Sequence, residues 1–354
     1  MARLGILGLS NVGKTTLFNA LTGLQAVAAP HPFSTTEPNV GIAVVPDERL
    51  DHAAALEGSA KTVHATIDLL DLPAAGREMA GRFMARLREM DAIAVVLRAF
   101  SDDAVPADDS GTDPVDQAER HLLDLVIADA EVFARRADKA AKEASADQSA
   151  RPAAEALRRA ADLLADGRPL RSVEWDAIAL GAFRDLAPLT LKPVVWVVNA
   201  GEDDPAAVGF EAAVAEVVQE GDIVVVLSAR LEEEGSRLAP DERAELFEGL
   251  GLGEGALAAM VSATYRALGL TSFYTTGPKE AHAWTVRTGA TAREAAGRIH
   301  SDLERGFIRA EVCPIDDVIA AGGWDAAKAA GTVRVEGKGY PIAEGDVIVV
   351  RFSV

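Results

Sequence analysis

An apolar run near the start of the sequence, residues 3–9, leads into an eight-residue segment bounded by glycines. This segment, GLSNVGKT, matches the pattern G-x-x-x-x-G-K-[ST] over residues 8–15. Gly8 and Gly13 allow the backbone to curl, so that successive N–H groups can point at phosphate oxygens. A helix predicted over 15–24 adds the positive end of its dipole. The sequence therefore predicts a phosphate-binding loop between a strand and a helix.

Two side chains of this loop have predicted chemical roles. We expect Lys14 to place its charge on the β- and γ-phosphates of a nucleotide and the Thr15 hydroxyl to ligate Mg²⁺. In the segment FSTTEPN (33–39), Thr35 is the candidate that completes the Mg²⁺ shell when a γ-phosphate is present. A Thr/Pro turn between a helix and a strand is the alternative there. Nucleotide contacts are predicted for the consecutive residues Asn11, Val12, Gly13, Lys14, Thr15 and Thr16.

Strands alternate with helices along much of the chain, which predicts an α/β fold with a doubly wound, mostly parallel sheet. The predicted strands are 41–45, 63–70, 92–98, 192–198 and 223–227. A helix is predicted over 78–90, between the second and third of these strands. Two long Ala-rich helices, 117–144 and 152–164, are predicted as an antiparallel insertion, for which a solvated helical pair is the simplest explanation. From about residue 276, strands at 284–288 and 347–354 are predicted around one helix, 292–305.

The predicted domains follow from this order. We expect a P-loop domain over 1–110 and 185–275, a helical coiled-coil insertion over 111–184 and a C-terminal α+β domain over 276–354. An acidic helix and turn is predicted over 232–251.

The negative charge of the chain is local. The 35 Lys and Arg residues against 55 Asp and Glu residues leave a net charge of −20. Residues 101–150 carry 5 basic and 13 acidic groups and residues 201–250 carry 3 and 14, so these two blocks account for −19 of the total. Net charge is therefore a poor guide to partners. The single cysteine, Cys313, excludes a disulfide framework, and no long apolar run predicts a membrane span. We expect a cytoplasmic protein that binds neither membrane nor DNA.

Several motifs resemble those of the Obg/HflX-type P-loop proteins of the TRAFAC class, and specifically the YchF family of Obg-like ATPases. They are GLSNVGKTTLFNALT (8–22), HPFSTTEPNVG (31–41), LTLKPVVWVVNAGED (189–203), the stretch 279–312 and EGKGYPIAEGDVIVVRFSV (336–354). The resemblance covers nearly the whole chain in the order of the family. It implies a G domain, an inserted coiled coil and a C-terminal TGS domain with a β-grasp-like fold. It also implies a cytosolic protein that prefers ATP to GTP and associates with ribosomes.

The predicted base-binding loop follows the strand at 192–198. A guanine reader of this fold carries N-K-x-D, whereas this chain has Asn199-Ala200-Gly201-Glu202. A Glu in place of Asp displaces the carboxylate by one methylene, which weakens guanine selection, while Asn199 can offer a donor and an acceptor to adenine. Ser228 and Ala229 end the next strand and are expected to bring a backbone N–H near the base. A polar turn formed by Asn199 and Glu202 is the alternative.

The second switch departs from the family pattern. Asp71 ends the strand VHATIDLL and is expected to hold Mg²⁺ through water, but Ala74 replaces the Gly of D-x-x-G and the following loop is shorter. The histidine that the family usually carries after the next strand is missing from 101–114. Hydrolysis would rest on Lys14 and Mg²⁺ electrostatics and be slow.

Three functions follow as hypotheses. The favoured one is an ATPase switch whose nucleotide state changes its engagement with the ribosome and its rRNA. A GTPase of the same fold and a nucleotide-binding scaffold with little hydrolysis are the alternatives. At Asn11, related GTPases hold a monovalent cation, so K⁺ dependence is a further hypothesis. The six histidines lack the spacing of metal ligands. A separate group of arginines in the C-terminal domain is either an RNA-facing patch or a solvated helix face: Arg287, Arg293, Arg298, Arg305 and Arg309.

Overall fold

The structure is a computed structural model that describes residues 2–24, 38–72, 77–105, 111–201, 207–250 and 255–353. Its contacts divide the chain into two compact units, and each is formed from two segments. The P-loop unit consists of residues 2–42 and 68–264, and the C-terminal unit consists of residues 43–67 and 265–354.

The strands, in chain order, are β1 (Ala2–Gly8), β2 (Asn39–Val44), β3 (Thr62–Val63), β4 (Thr66–Asp71), β5 (Ala92–Ala99), β6 (Val194–Ala200), β7 (Ile223–Leu227), β8 (Leu270–Thr275), β9 (Ala281–Arg287), β10 (Phe307–Pro314), β11 (Arg334–Glu336) and β12 (Asp346–Phe352). The helices are α1 (Lys14–Thr22), α2 (Glu48–Glu57), α3 (Arg77–Arg88), α4 (Pro114–Ala146), α5 (Arg151–Ala165), α6 (Ala177–Phe183), α7 (Ala207–Val217), α8 (Ala229–Gly235), α9 (Pro240–Gly249), α10 (Ala256–Ala267), α11 (Ala292–Ile299), α12 (Ser301–Arg305), α13 (Ile315–Ala321) and α14 (Trp324–Ala329).

The first sheet has the strand order β2-β4-β1-β5-β6-β7. Its centre is parallel, with Ile6 opposite Ala94, Val96 opposite Val197, and Val197 opposite Val225. Every residue of β5 and β6 is buried, because helices cover both faces of a parallel sheet. This arrangement explains why these strands are continuous apolar runs. The predicted α/β class with a mostly parallel sheet is confirmed.

The predicted helical insertion consists of α4 and α5, joined by a short 3-10 turn over Gln148–Ala150. Small alanines and larger apolar residues of both helices share one core with α6. Asp113 caps the start of α4 by accepting a hydrogen bond from the Val115 N–H. The acidic stretch predicted as one helix and turn forms two helices instead, α8 and α9.

A buried ion pair fixes the insertion on the rest of the P-loop unit. Asp129 of α4 is fully buried and accepts a hydrogen bond of 2.6 Å from Arg88. It also accepts hydrogen bonds from the backbone N–H groups of Leu189 and Thr190 and from the Thr190 hydroxyl. Arg88 further donates to three backbone carbonyls, those of Ala128, Leu186 and Ala187. The desolvated charges are therefore well hydrogen-bonded, which is the condition under which such a pair is tolerated.

The second sheet has the order β11-β10-β12-β8-β9-β3 and lies in the C-terminal unit. The pairs β10/β12 and β8/β9 are antiparallel, while β12/β8 and β9/β3 are parallel. Helix α11 shares a core with this sheet through buried Ala292 and Ala295. The unit is thus α+β, as predicted; its assignment as a TGS domain stays a prediction.

Two predicted elements are interrupted in the structure. The predicted strand at 63–70 is two strands, since β3 pairs with β9 in the second sheet whereas β4 joins the first. The predicted helix at 292–305 breaks at His300, whose backbone is extended (φ −164°, ψ 142°) and whose side chain accepts from the Asp302 N–H to cap α12. Both predictions were wrong at these points.

The segment 43–67 is built into the C-terminal unit. Helix α2 packs against α13, and Asp47 at its start accepts hydrogen bonds from Arg49 and Tyr274. Burial alone would raise the pKa of Asp47, but these hydrogen bonds outweigh it and hold the pKa below its ordinary value. The predicted domain boundaries place this segment in the P-loop domain, whereas its contacts group it with 265–354. As functional domains, the predicted ranges stay a prediction.

None of the helices within the described ranges is both long and apolar enough to cross a bilayer.

The buried ion pair of Asp129 makes a prediction about stability. Asp129→Ala leaves the Arg88 charge desolvated and unpaired, so we expect the free energy of unfolding to fall by about 3–5 kcal/mol. The matched control is Glu89→Ala, which removes the exposed Arg86–Glu89 pair and should cost less than about 1 kcal/mol. Denaturant unfolding of both variants measures the difference. Equal losses would contradict the role given to Asp129.

Candidate functional site

The phosphate-binding loop connects β1 to α1, as predicted. Gly13 precedes α1 with a left-handed backbone (φ 97°), and Asn11 also has a positive φ of 60°. A Cβ on Gly8 would lie 2.7 Å from the Val96 carbonyl oxygen, so a side chain at this position would displace β1 from β5. A Cβ on Gly13 would collide with the side-chain nitrogen of Asn199. Both positions of the motif therefore require glycine, because a Cβ would collide with neighbouring atoms. At Gly13 the left-handed backbone is a second reason.

Lys14 is the buried cation of this loop. Its side chain is 7% exposed, and its ammonium donates a hydrogen bond of 2.6 Å to the Leu9 carbonyl oxygen. Burial lowers the pKa of Lys14 to about 8, although the nearby Asp71 acts in the opposite direction. A backbone carbonyl of the loop thus holds the ammonium in place. A phosphate oxygen that enters the loop would be a stronger acceptor for it.

Asp71, at the end of β4, meets the loop through Thr15. Its Oδ2 accepts hydrogen bonds of 3.0 Å from the Thr15 hydroxyl and from the Asn39 amide. Its Oδ1 is buried and has no hydrogen-bond partner among the residues that the structure describes. Burial raises the pKa of Asp71, against the opposing hydrogen bond from Asn39 and the charge of Lys14. One carboxylate oxygen is therefore anchored, and the other receives no hydrogen bond from the described part of the chain.

This pair of side chains fits Mg²⁺. A hard divalent cation takes oxygen ligands and often retains waters, and the hydroxyl of Thr15 lies next to a carboxylate with an unsatisfied oxygen. A hydroxyl has one hydrogen and two lone pairs, so Thr15 can donate to Asp71 and still offer a lone pair to an ion. Thr15 and, through water, Asp71 are the residues that would hold the ion. When bound, Mg²⁺ would neutralise the charge of the β- and γ-phosphates.

Asn199 is in contact with the phosphate-binding loop itself. Its amide nitrogen donates to the Val12 carbonyl oxygen at 2.9 Å, and its amide oxygen accepts from the Ala229 N–H at 2.9 Å. Asn199 is the second-last residue of β6 and is 5% exposed. The side chain thus ties the loop to the start of α8. Among the residues that the structure describes, Asn199 uses one of its two N–H groups and one of its two acceptor positions. One of each is left for the predicted contact with adenine.

The remaining predicted base-site residues are placed in part. Ser228 caps α8 by accepting from the Leu231 N–H, so its hydroxyl serves the helix. The Ala229 N–H donates to the amide oxygen of Asn199, and its expected position near the base stays a prediction. Thr16 lies in the first turn of α1. Thr35, Ala74 and Glu202 lie outside the described residues.

Sequence reasoning missed Arg98, which supports the loop from β5. Arg98 is 2% exposed and donates to the backbone carbonyl oxygens of Asn11, Phe100 and Val105. The side-chain amide of Gln117 brackets its backbone, donating to the Arg98 carbonyl and accepting from its N–H, both at 2.8 Å. The sequence carried one signal of this role, because Arg98 is a charged residue within the apolar run AIAVVLRAF. A charged residue in a buried strand is expected to have hydrogen-bond partners inside the protein.

The pKa of Lys14 makes a prediction about nucleotide binding. With the pKa lowered to about 8, the ammonium is charged below that pH and loses its proton above it. We expect affinity for ATP without Mg²⁺ to be retained at about pH 7 and to weaken above about pH 8, by up to about tenfold per pH unit. Fluorescence titration across this range measures it. Lys14→Gln is the control, with weak and pH-independent affinity; the same pH slope in this variant would contradict the assignment.

Known proteins are similar to this chain over nearly its whole length. The family model described as 50S ribosome-binding GTPase matches residues 3–132. The model for the C-terminal region of YchF GTPases, described as a protein of unknown function, matches residues 270–353. The chain is 39% identical to the Ribosome-binding ATPase YchF of Bacillus subtilis strain 168 and 37% identical to that of Escherichia coli O157:H7. Each alignment covers 99% of this chain and 99% of the relative.

Two further comparisons extend beyond bacteria. The chain is 34% identical to Obg-like ATPase 1 of Oryza sativa subsp. japonica, over 99% of this chain and 92% of the relative. The solved structure of the Schizosaccharomyces pombe YchF GTPase superposes on this chain with a TM-score of 0.83 at 26% identity. That superposition covers 99% of this chain and 97% of the other. On this full-length similarity, together with its phosphate-binding loop and C-terminal unit, the chain belongs to the YchF family.

Proposed function

We propose that the protein is a P-loop ATPase that acts as a nucleotide-dependent switch on the ribosome. The observation that carries the proposal is the arrangement of Lys14, Thr15 and Asp71, a buried cation beside a hydroxyl and a half-satisfied carboxylate. This is the set of groups that binds a nucleoside triphosphate with Mg²⁺. Relatives at 37–39% identity carry the name Ribosome-binding ATPase YchF, which supports both the reaction and the partner.

The chain's own groups would act mainly by electrostatics. The N–H groups of the loop 8–15 and the ammonium of Lys14 would bind the β- and γ-phosphates and stabilise the charge that develops on them. Thr35 is proposed to complete the Mg²⁺ shell when a γ-phosphate is present. With Ala74 in the second switch and no histidine in 101–114, the attacking water lacks an obvious orienting group. We therefore expect slow turnover.

Base choice is proposed to favour adenine. Glu202 replaces the Asp that would accept two hydrogen bonds from guanine, and Asn199 keeps one N–H and one acceptor position beyond its two structural contacts. A GTPase is the second candidate, because the matching family model and the solved relative are both described as GTPases. A scaffold with little hydrolysis is the third candidate, because the second switch is altered. K⁺ at Asn11 remains a hypothesis, which equal rates in Na⁺ and K⁺ would exclude.

Paired nucleotide titrations test the choice of base. We expect ATP to bind at least about tenfold more tightly than GTP, a difference of about 1.4 kcal/mol. Glu202→Asp restores the shorter carboxylate and should narrow this ratio by improving GTP binding, while Glu202→Gln serves as the control without charge. Tenfold tighter GTP binding by the unaltered protein would reject the ATPase. Multiple-turnover phosphate release that disappears in Lys14→Ala would exclude the scaffold.

The ribosome is the proposed partner, and a cytoplasmic location follows from that proposal. The C-terminal unit carries exposed arginines, among them Arg293 and Arg298 on α11 and Arg305 on α12. Each already contacts its own unit, since Arg293 and Arg298 donate to backbone carbonyls and Arg305 pairs with Asp302. Such contacts orient the guanidinium groups while leaving donors for phosphates of rRNA.

Ribosome pelleting with a non-hydrolysable ATP analogue tests this patch. We expect the double variant Arg298→Glu and Arg305→Glu to weaken binding by at least about tenfold, because reversed charges repel phosphates. The comparison variant reverses the exposed Arg158 and Arg159 on α5, which offer a second basic surface, on the helical insertion. Loss of ribosome binding only in the comparison variant would indicate that the contact with the ribosome lies on the insertion. Unchanged binding in both would reject an rRNA contact through either surface.

A further inference from the structure

Asn39, the first residue of β2, has a side chain that reaches the carboxylate of Asp71, the proposed partner of Mg²⁺. Its amide nitrogen donates a hydrogen bond of 3.0 Å to Oδ2 of Asp71, the last residue of β4. The two residues are 32 positions apart, and β2 and β4 are neighbours in the first sheet. Backbone pairing of the strands does not require this contact. The hydrogen bond of the Asn39 amide can therefore have a function that is separate from strand pairing.

The two carboxylate oxygens of Asp71 differ in the hydrogen bonds that they accept. Oδ2 accepts from two neutral donors, the Thr15 hydroxyl and the Asn39 amide, whereas Oδ1 is buried without a donor among the described residues. Two donors on one oxygen fix the rotation of the carboxylate about its Cβ–Cγ bond. They leave the other oxygen as the place where a water of a hydrated cation can donate.

Of these two donors, only Asn39 is independent of the ion. Thr15 is itself a proposed ligand of Mg²⁺, so its hydrogen bond to Asp71 responds to the metal. An amide donates without changing its charge and is not needed as a ligand when hydroxyl, carboxylate and phosphate oxygens are present. Partners of this kind, which hydrogen-bond a ligand rather than the metal, raise metal affinity by about 10–100-fold in other sites.

We propose that Asn39 is a positioning residue that orients Asp71 for Mg²⁺, an assignment that rests on the proposed nucleotide function. Asn39 touches neither nucleotide nor ion in this role. It couples the start of β2 to the carboxylate at the end of β4. Metal affinity thereby depends on β2 being in place.

Magnesium dependence of ATP binding tests the assignment. A fluorescent ATP analogue is titrated into the full-length protein in EDTA and at a series of Mg²⁺ concentrations. For Asn39→Ala we expect the half-saturating Mg²⁺ concentration to rise by about 10-fold or more, with affinity in EDTA within about twofold of the unaltered protein. Val40→Ala, on the same strand and at a residue that is 71% exposed, is the matched control and should change neither quantity.

Two further variants keep the test decisive. Asn39→Gln retains the donor and should recover part of the Mg²⁺ affinity, whereas Asn39→Asp places an acceptor against Asp71 and should lose at least as much as Asn39→Ala. A direct Mn²⁺ titration followed by electron paramagnetic resonance gives the metal affinity without any turnover.

The outcomes separate this assignment from the proposed function. A half-saturating Mg²⁺ concentration that stays within about twofold in Asn39→Ala would overturn the assignment. So would a parallel loss of ATP affinity in EDTA, which indicates a structural role only. If the unaltered protein binds ATP equally with and without Mg²⁺, the proposed function fails instead.

Discussion

The opposite charges of Lys14 and Asp71 are buried in the same part of the P-loop unit, where each lowers the cost of burying the other. Burial lowers the pKa of Lys14 and raises the pKa of Asp71, so it favours the neutral form of each group. The charge of each group opposes the pKa shift of the other. Hydrogen bonds from Thr15 and Asn39 to Asp71, and from Lys14 to the Leu9 carbonyl, compensate part of the cost. A phosphate chain with a divalent cation would supply a charged acceptor for the ammonium, in addition to the Leu9 carbonyl, and a cationic partner for the carboxylate. The surrounding loop, strands and glycines keep these groups in place.

The parts of the site that were predictable are those with local causes. The spacing of Gly8, Gly13, Lys14 and Thr15 encodes a loop whose backbone conformation is set by the same residues, so a single sequence is sufficient. Asn199 was singled out as a base reader, yet its amide mainly joins Val12 to Ala229. That role depends on three segments being brought together by the fold. Arg98 was missed for the same reason, because its acceptors are backbone carbonyls, which any residue type can supply.

The fold follows a similar division. Central strands such as β5 and β6 were predictable because burial on both faces makes them continuous apolar runs. The strand predicted at 63–70 contains a change of sheet that leaves no local signal, since β3 and β4 are equally extended. The break at His300 is a capping event inside an otherwise helical pattern, with the imidazole accepting from the Asp302 N–H. Helix α2 was not predicted at all, because its short apolar stripe is completed by residues of the C-terminal unit.

The passage of 43–67 into the C-terminal unit limits how this architecture can be modified. Helix α2 buries Leu50, Ala53 and Ala54, and β3 closes one edge of the second sheet, so the C-terminal unit contains an internal piece of the chain. A fragment that begins at 276 would lack β3, β8 and α2, and a chain that ends there would leave the apolar side of α2 uncovered. The two units are therefore not interchangeable modules. Exchange between relatives by recombination would have to transfer two separated stretches of gene together, which favours inheritance of the chain as a whole.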